Sequence, residues 1–327
     1  MITAGVQTWS TDVAALERFW RAADELGYER ITYGDGLWDF THDGWTMLGA
    51  LAAVTRRARI GPAVTYAFDP AAHHPSWLAK RAVTVDHLSG GRLDLRLAVG
   101  AGDAATAAAW RRHGIPYPTG GARVAALDEA LAIMTALWRG ETVDADGPVF
   151  PMRGARLQPA PLQQPAPPVW IAAMGPRALA LTARRADGWE ASYVTPTAFG
   201  ALVARLDAAL VAAGRSAAAI RRSVETDVVL AGSPAEQAAW TRRFCSERRL
   251  RTGDAVLDTA LIGDAATVAA RIVEYAAAGG TDLMLGFADF PATGMLERFA
   301  RDVLPLVGAR AARVPADDAG TPRTQSL

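Results

Sequence analysis

The sequence predicts one α/β domain folded as a (β/α)8 TIM barrel, with insertions after helix 4 and strand 7. Short apolar runs rich in β-branched residues alternate about eight times with longer alanine- and leucine-rich runs of helical period. This alternation is typical of parallel strands joined by right-handed helical connections. The length of 327 residues suits one barrel with insertions. A doubly wound open sheet shows the same alternation, and periodicity alone does not exclude it.

The predicted elements follow one another along the chain. The strands are residues 3–7, 30–34, 59–66, 93–99, 169–174, 188–193, 223–230 and 282–287. The helices lie near residues 13–26, 45–54, 75–88, 124–138, 176–185, 197–213, 266–277 and 293–304. Several helices have the end residues that helices favour. Asp12 and Thr267 lie near helix starts, and Gly27 and Gly279 follow helices where a left-handed residue is favoured.

Two stretches interrupt the alternation. Residues 140–168 contain seven prolines, which favours an irregular surface loop that includes a short hairpin. Residues 233–253 are too long for a simple connection, and long insertions on barrels often cover a site. The domain is predicted to span residues 1–307, because the last segment, 308–327, lacks apolar periodicity and is typical of a flexible tail.

The composition excludes several classes of protein. Half of the residues are hydrophobic, which is enough for a large core. The formal net charge is zero, so there is no electrostatic reason to expect a nucleic acid or an anionic membrane as partner. The lone cysteine, Cys245, cannot form an intramolecular disulfide, and no signal-peptide pattern or long apolar run is present. We therefore expect a cytoplasmic protein.

The loop after the second strand carries several polar side chains. In a TIM barrel the residues that act on a ligand lie at the carboxyl ends of the strands. Asp35 directly follows the strand and is a candidate catalytic residue, with Trp38 and His42 in the same loop. Asp39 and Asp43 fit turn and helix-start chemistry better.

The third strand and the residues after it form a second candidate region. Gly61–Pro62 predicts a bulge or kink at residues 61–64, because proline removes a donor from the strand ladder. His73 and His74 precede Pro75 and are candidates for a base, a ligand or hydrogen bonds at a helix start. No HxxxH or HxH spacing occurs, so we expect no metal site.

Glycine-rich turns follow the fourth and fifth strands. Gly100 and Gly102 allow a ligand to approach the backbone closely, and Asp103 comes next. The second turn consists of Gly175, Pro176 and Arg177. Free N–H groups at this helix start, together with the guanidinium, predict a phosphate-binding site. A plain turn with a solvated arginine is the alternative.

Aromatic residues cluster near the predicted strand ends. They are Trp9, Trp38, Tyr66, Phe68, Trp189, Tyr193 and Phe287. Each one alone is more often a core residue. Together they predict an apolar pocket for a planar ligand.

Four blocks of the sequence resemble the luciferase-like monooxygenase superfamily, TIM-barrel enzymes that use FMN or the deazaflavin coenzyme F420. The resemblance covers about residues 1–307. The blocks are HHPSWLAKRAVTVDHLSGGRLDLRLAVGAGD (73–103), RVAALDEALAIMTALWRGETVDADG (123–147), PPVWIAAMGPRALALTARRADGW (167–189) and LIGDAATVAARIVEYAAAGGTDLMLGF (261–287).

This resemblance implies a cofactor ring in the mouth of the barrel, against a bulge in the third strand. Many members have a non-prolyl cis peptide bond there, which corresponds here to Ala63–Val64, followed by Thr65. It also implies that residues 175–177, Ser192 and Tyr193 hold the phosphate side of the cofactor, and that Gly100 and Gly102 line its ring. In some deazaflavin members the proton donor is an acid at the position of Asp103.

The chain departs from the family pattern at one catalytic position. Many members have Asp-His after the second strand, where this chain has Asp35–Gly36. The usual Arg-His-Pro before the third helix is here His73–His74–Pro75. Either His42 or His74 replaces the missing base, or the reaction needs no histidine there.

Three functions stay open on this evidence. The sequence favours a monooxygenase that uses dioxygen and reduced FMN from a separate flavin reductase to oxygenate a small organic substrate. The alternative is F420-dependent hydride transfer, in which Arg177 and Arg248 or Arg249 contact the anionic tail of the coenzyme. The lone lysine, Lys80, and the missing histidine favour FMN. The third possibility is a ligand-binding barrel without catalysis. The resemblance also implies a homodimer.

Overall fold

The computed structural model describes residues 2–68, 73–251 and 253–311, and within these ranges the chain forms the predicted TIM barrel. The strands are β1 (Thr3–Thr8), β2 (Arg30–Tyr33), β3 (Arg59–Pro62), β4 (Thr65–Tyr66), β5 (Leu95–Ala98), β6 (Val143–Ala145), β7 (Met152–Ala155), β8 (Val169–Ala172), β9 (Gly188–Ser192), β10 (Arg221–Leu230), β11 (Leu261–Gly263) and β12 (Asp282–Phe287). The parallel sheet has the order β3-β2-β1-β12-β10-β9-β8-β5-β4, with β11 beside β10.

The barrel closes between the two ends of this sheet. A parallel bridge joins Ile60 to Leu93, and the N–H of Asp94 donates to the Ile60 carbonyl over 2.8 Å. β3 and β4 are therefore two halves of the third barrel strand, separated at Ala63–Val64. The kink predicted at residues 61–64 is confirmed.

Helices surround the barrel. They are α1 (Val13–Glu25), α2 (Gly44–Val54), α3 (Pro75–Ser89), α4 (Ala104–Arg112), α5 (Gly120–Trp138), α6 (Pro176–Arg185), α7 (Pro196–Ala212), α8 (Pro234–Glu247), α9 (Ala265–Ala277), α10 (Gly294–Arg298) and α11 (Leu304–Ala311). α1 shows how the sequence makes such a helix. Asp12 accepts a hydrogen bond from the N–H of Ala15, and the apolar stripe of Leu16, Phe19 and Trp20 is buried against the barrel. Burial of each such side chain contributes about 1.5–3 kcal/mol.

Both predicted insertions are present. The first follows α5 and includes the antiparallel hairpin β6–β7. The second follows β10 and contains helix α8, which the sequence placed in an insertion without predicting a helix. α4 is also additional to the predicted set. Its alanine-rich sequence buries only Trp110, so it has no apolar stripe for a periodicity argument to find.

The carboxyl-terminal boundary differs slightly from the prediction. α11 continues to Ala311, so the first four residues of the predicted tail 308–327 are helical. The remaining tail residues lie outside the described ranges. Among the described residues, no helix is both long and apolar enough to cross a membrane.

The amino-terminal end of the barrel is filled by charged side chains. Arg30 contacts both Asp94 and Asp282. Arg59 also donates to Asp94 over 2.7 Å, and Arg221 to Asp282 over 2.9 Å. We call these five residues the basal charge cluster. One layer above it, the Trp170 ring lies between the guanidinium groups of Arg30 and Arg96, at 4.8 and 4.7 Å from its centroid.

Candidate active site

A cavity of about 1270 Å³ opens where the barrel strands end at their carboxyl termini. This is the end at which TIM barrels carry their active sites. Pockets for a single ligand are usually about 300–1,000 Å³. The cavity is therefore large enough for a cofactor and a substrate together.

Most of the residues predicted to bind a cofactor or substrate line this cavity. They are Trp9, Trp38, Ala63, Val64, Tyr66, Gly100, Gly102, Gly175, Pro176, Arg177, Ser192, Tyr193 and Phe287. The Ala63–Val64 peptide bond is cis, as the family resemblance implies.

Asp35 and Thr65 lie behind the wall of the cavity. The Thr65 hydroxyl donates to the buried Asp35 carboxylate and accepts from Trp45 Nε1 over 3.1 Å. Burial raises the pKa of Asp35, and the nearby His73 opposes this rise. The structure does not place Asp35 at the cavity as a catalytic residue, because its carboxylate holds Thr65 immediately after Ala63–Val64.

The other three residues predicted to be catalytic also lie away from the cavity. His42 is exposed, and its Nε2 is 3.1 Å from the Thr11 carbonyl. His74 caps α3 by accepting from the N–H of Ser76. Asp103 is exposed and caps α4, where it accepts from the Thr106 N–H and hydroxyl, both over 2.8 Å.

These positions have a physical explanation. Short polar side chains at the ends of strands are favoured as helix caps as well as catalytic groups, and the sequence does not separate the two. The hydrogen bonds from Thr106 lower the pKa of Asp103. A carboxyl held in its charged form is poorly suited to donate a proton.

Phe68, predicted to lie in the substrate pocket, is buried behind it. Its ring makes edge contacts with Trp110 at 5.3 Å and with Tyr117 at 5.1 Å. Tyr66 packs against the same Trp110 ring at 5.5 Å and does line the cavity. Phe68 thus supports a wall residue and is not part of the wall.

The structure accounts for the glycine that stands where many family members have histidine. A Cβ at Gly36 would lie 2.3 Å from Trp38 Nε1, which is closer than any real Cβ contact. A Cβ at Gly34 would likewise lie 2.2 Å from Trp9 Cδ1. The two glycines let both indoles lie against the end of β2, and the Trp38 ring occupies the space that a histidine side chain would need.

One wall of the cavity is suited to an anion. Gly175 immediately precedes α6 and has no side chain to cap the free N–H groups of its first turn. The first turn of α5 lies beside it, since a Cβ at Gly121 would be 2.8 Å from Arg177 Nη1. Within the described residues Arg177 makes no hydrogen bond or ion pair. A helix start and a free guanidinium together attract phosphate or carboxylate groups.

Arg123 has a different role at the same wall. Its buried guanidinium donates to the carbonyls of Val99, Gly100 and Ala101 and packs 4.1 Å over the Tyr117 ring. Because these bonds engage its donors, Arg123 holds the glycine-rich loop in place and is not available to a ligand.

The floor of the cavity carries acidic residues that the sequence did not single out. Glu190 on β9 is paired with Arg96 and accepts from the Ser223 hydroxyl over 2.9 Å. Asp227 on β10 is buried behind this lining and is paired with Arg248, the residue after α8. Glu225 lies between them on β10, and among the described residues no cationic group is within ion-pair distance of it.

The environment of Glu225 favours its protonated form. Burial and the charge of Glu190 raise the pKa of Glu225 to about 7, against the opposing effect of the Ser192 hydroxyl and the Gln7 amide. Burial also raises the pKa of Asp227 to about 6, and Arg248 opposes that rise. Gln7 faces this floor as well, and its Nε2 has no hydrogen-bond partner of ordinary geometry.

Tyr193 connects the floor to the wall. It follows β9 with a φ of 52°, a conformation that residues other than glycine rarely adopt, and its N–H donates to the Glu225 carbonyl over 2.9 Å. Such backbone strain is concentrated at functional sites. Phe244 of α8 and Arg248 complete this side, so the second insertion contributes to the cavity.

A signal for the floor is present in the sequence. Glu225 and Asp227 alternate with Val224, Thr226 and Val228 on a strand whose other face is fully buried. Acids at every second position of a barrel strand point into the barrel. This pattern predicts that the two acidic side chains of β10 point into the barrel. It does not predict the pairing of Glu190 with Arg96 or of Asp227 with Arg248, which depends on the fold.

Comparison with known proteins identifies the family. The family model for luciferase-like monooxygenases matches residues 2–282. The chain belongs to this family. The expected resemblance is confirmed.

Curated relatives are similar over part of their length. A phthiodiolone/phenolphthiodiolone dimycocerosates ketoreductase of Mycobacterium sp. (strain JLS) is 36% identical over 197 residues, 58% of this chain and 49% of the relative. An F420-dependent glucose-6-phosphate dehydrogenase of Beutenbergia cavernae is 34% identical over 175 residues, 51% of this chain and 49% of the relative. The chain thus spans about half the length of the curated relatives it matches.

Solved structures share the fold over nearly the whole chain. An F420-dependent secondary alcohol dehydrogenase, in complex with an F420-acetone adduct, has a TM-score of 0.80 at 16% identity and covers 94% of this chain and 99% of its own. The monooxygenase RslO1 from Streptomyces bottropensis has a TM-score of 0.78 at 23% identity and covers 93% and 99%. An F420-dependent dehydrogenase and a monooxygenase therefore share this fold.

Proposed function

We propose that this protein is an F420-dependent oxidoreductase that transfers hydride between the coenzyme and a small carbonyl compound or its alcohol. The observation that carries the proposal is the anion-binding wall of an otherwise aromatic cavity. Arg177 is without a protein partner among the described residues, and it lies beside two helix starts. This arrangement suits a flat ring with a long anionic tail.

The residues present fit such a coenzyme. The buried Gln7 Nε2 has no hydrogen-bond partner of ordinary geometry and is available to a polar ring edge. A Cβ at Gly102 or Gly175 would meet no atom within 4 Å, so the wall is open at both positions. Trp9 and Trp38 add apolar surface. When bound, the coenzyme would supply the carbon that donates or accepts the hydride.

The side chains of this protein would bind the coenzyme and exclude water from the reacting atoms. Arg177 and the first turn of α6 would hold the tail, and residues 63–64 and 100–102 would support the ring. Trp9, Trp38 and Phe287 would keep water from the reacting atoms. Because Arg248 is already paired with Asp227, Arg177 is the better candidate for the tail contact than Arg248.

The relatives support the choice of F420 over FMN. The two curated relatives named above carry the names of a ketoreductase and an F420-dependent dehydrogenase. The aromatic lining suits an apolar ketone or secondary alcohol better than a highly charged substrate.

An FMN-dependent monooxygenase is the second candidate. It is supported by the fold shared with the monooxygenase RslO1 and by the absence of a histidine at position 36. In that case a separate flavin reductase would deliver reduced FMN, and the substrate would be a small organic compound.

Titration of the purified protein with F420 and with FMN, each oxidised and reduced, separates the two candidates. We expect F420 to bind more tightly, with a change in coenzyme fluorescence. Tight binding of FMN alone would favour the monooxygenase, and tight binding of neither would favour a barrel without catalysis.

The Arg177→Ala variant should weaken F420 binding roughly ten- to hundredfold, because one hydrogen-bonded charge is lost. Arg184→Ala is the matched control. Arg184 lies at the other end of α6 and pairs with Asp128 on the surface. Equal affinity of both variants and the wild-type protein would remove Arg177 from the site.

A further inference from the structure

We propose that Glu225 donates a proton to the substrate, or accepts one from it, during the reaction. It would take the role of the histidine that many family members have at the position of Gly36. This inference rests on the proposed hydride transfer. Its first basis is position. Glu225 lies on β10, forms part of the cavity floor and is partly exposed.

The second basis is the pairing of charges. Three glutamates line the cavity. Glu190 is paired with Arg96, and Glu247 is paired with Arg243 over 2.7 Å. Glu225 is the one of these three without a cationic partner among the described residues. A carboxyl group held by an arginine stays charged, whereas one in a buried, unpaired position can carry a proton at neutral pH.

The third basis is that the other possible proton donors are unsuitable. Asp35 is hydrogen-bonded to Thr65 behind the wall, and Asp103 caps a helix in solvent. Burial raises the pKa of the cavity-lining phenol of Tyr66 to about 12. Of these groups, Glu225 is the one that both reaches the cavity and changes protonation near neutral pH.

Neighbouring strands fix where the Glu225 carboxyl lies. Glu225 is the register partner of Ser192 on β9 and of Met284 on β12. The next inward position on β12 is Gly286, where a Cβ would lie 2.5 Å from Asp227 Oδ1. This glycine leaves room for the acids of β10 and for Gln7 of β1 to approach one another across β12.

The proton and electron balance is complete with the coenzyme as the redox partner. In ketone reduction, the carbonyl carbon gains a hydride with its two electrons, and the C=O π bond becomes an O–H bond with the proton of Glu225. Water then restores the proton to the carboxylate. In alcohol oxidation, the Glu225 carboxylate accepts the O–H proton and later passes it to water, while the carbon gives its hydride to the oxidised coenzyme.

The test compares Glu225→Gln, Glu225→Asp and the surface control Glu141→Gln, each loaded with F420 and given a series of ketones and secondary alcohols. The Glu225→Gln variant should lose about 10²–10⁴-fold in kcat, keep its affinity for F420, and lose the ionisation near pH 7 from its rate profile. Glu225→Asp should recover part of the rate. An unchanged kcat and pH profile in Glu225→Gln would overturn the proposal.

A second readout does not depend on the coenzyme. Infrared titration of the coenzyme-free protein should show a carboxylic acid C=O band that disappears with a midpoint near pH 7. The band should be absent from Glu225→Gln and retained in Glu141→Gln. A band that titrates at the pH of an ordinary exposed glutamate would also overturn the role of Glu225. Failure of F420 to bind the wild-type protein, with the band present, would instead overturn the proposed function.

Discussion

The two ends of the barrel use the same residue types in different ways. In the basal charge cluster, Asp94 and Asp282 each contact two guanidinium groups. At the cavity end of the barrel, Glu190 and Asp227 have one arginine each. Glu225, between them, has none among the described residues.

This difference shows that the charged groups that stabilise the fold and the group proposed to react lie at opposite ends of the barrel. Buried charges at the base are neutralised by close partners, which makes them costly to remove and chemically inert. At the cavity one acid is left in excess, and burial then works against its ionisation. Perturbed groups of this kind are typical of functional sites.

Removal of Arg30 should have the largest effect on stability. The Arg30→Met variant leaves Asp94 and Asp282 with one guanidinium partner each inside the barrel, and we expect a loss of about 3–5 kcal/mol in the free energy of unfolding. Urea denaturation measures this. Arg21→Met, which breaks the exposed pair with Glu17, should cost less than about 1 kcal/mol. Equal losses of stability in Arg30→Met and Arg21→Met would contradict a structural role for the basal charge cluster.

The pH dependence of stability should reveal Glu225. Its folded pKa of about 7 lies above the ordinary value of 4.5, so the protonated form stabilises the fold at low pH and this contribution is lost as the pH rises through 7. Between pH 4.5 and 7 the wild-type protein should therefore lose on the order of 3 kcal/mol relative to Glu225→Gln. Urea denaturation of both proteins across this range checks the prediction. The same change in the free energy of unfolding with pH in both proteins would contradict it.

Arg248 should have a smaller effect on stability. Its side chain is 39% exposed, but its removal leaves the buried Asp227 carboxylate unpaired, so Arg248→Gln should lower the free energy of unfolding by about 1–2 kcal/mol. The same variant should raise the pKa of Asp227 above about 6, because the opposing charge is removed. Carbon NMR of the aspartate carboxyls measures this. An unchanged Asp227 pKa would show that the pair does not hold the charged form.

The succession of strands and helices was predictable from the sequence because periodicity reports it directly, whereas periodicity alone left a doubly wound open sheet as an alternative to the barrel. The alternation of strands and helices, the kink at Gly61–Pro62 and the glycine-rich turns all depend on local chemistry. Helix α4 was missed because it buries a single large residue, Trp110.

The catalytic candidates were less predictable. His42, His74 and Asp103 have the residue types of catalytic groups but form contacts at helix ends or on the surface. Whether an acid such as Glu225 is paired depends on residues from distant strands, and local sequence does not contain this information. The homodimer and the cytoplasmic location stay predictions.

A crystal structure of the protein with F420 tests the account most directly. We predict the coenzyme ring in the cavity against Ala63–Val64, its tail beside Arg177, and the Glu225 carboxyl facing the remaining substrate space. F420 bound elsewhere, or a Glu225 carboxyl paired with an arginine in the complex, would contradict the account.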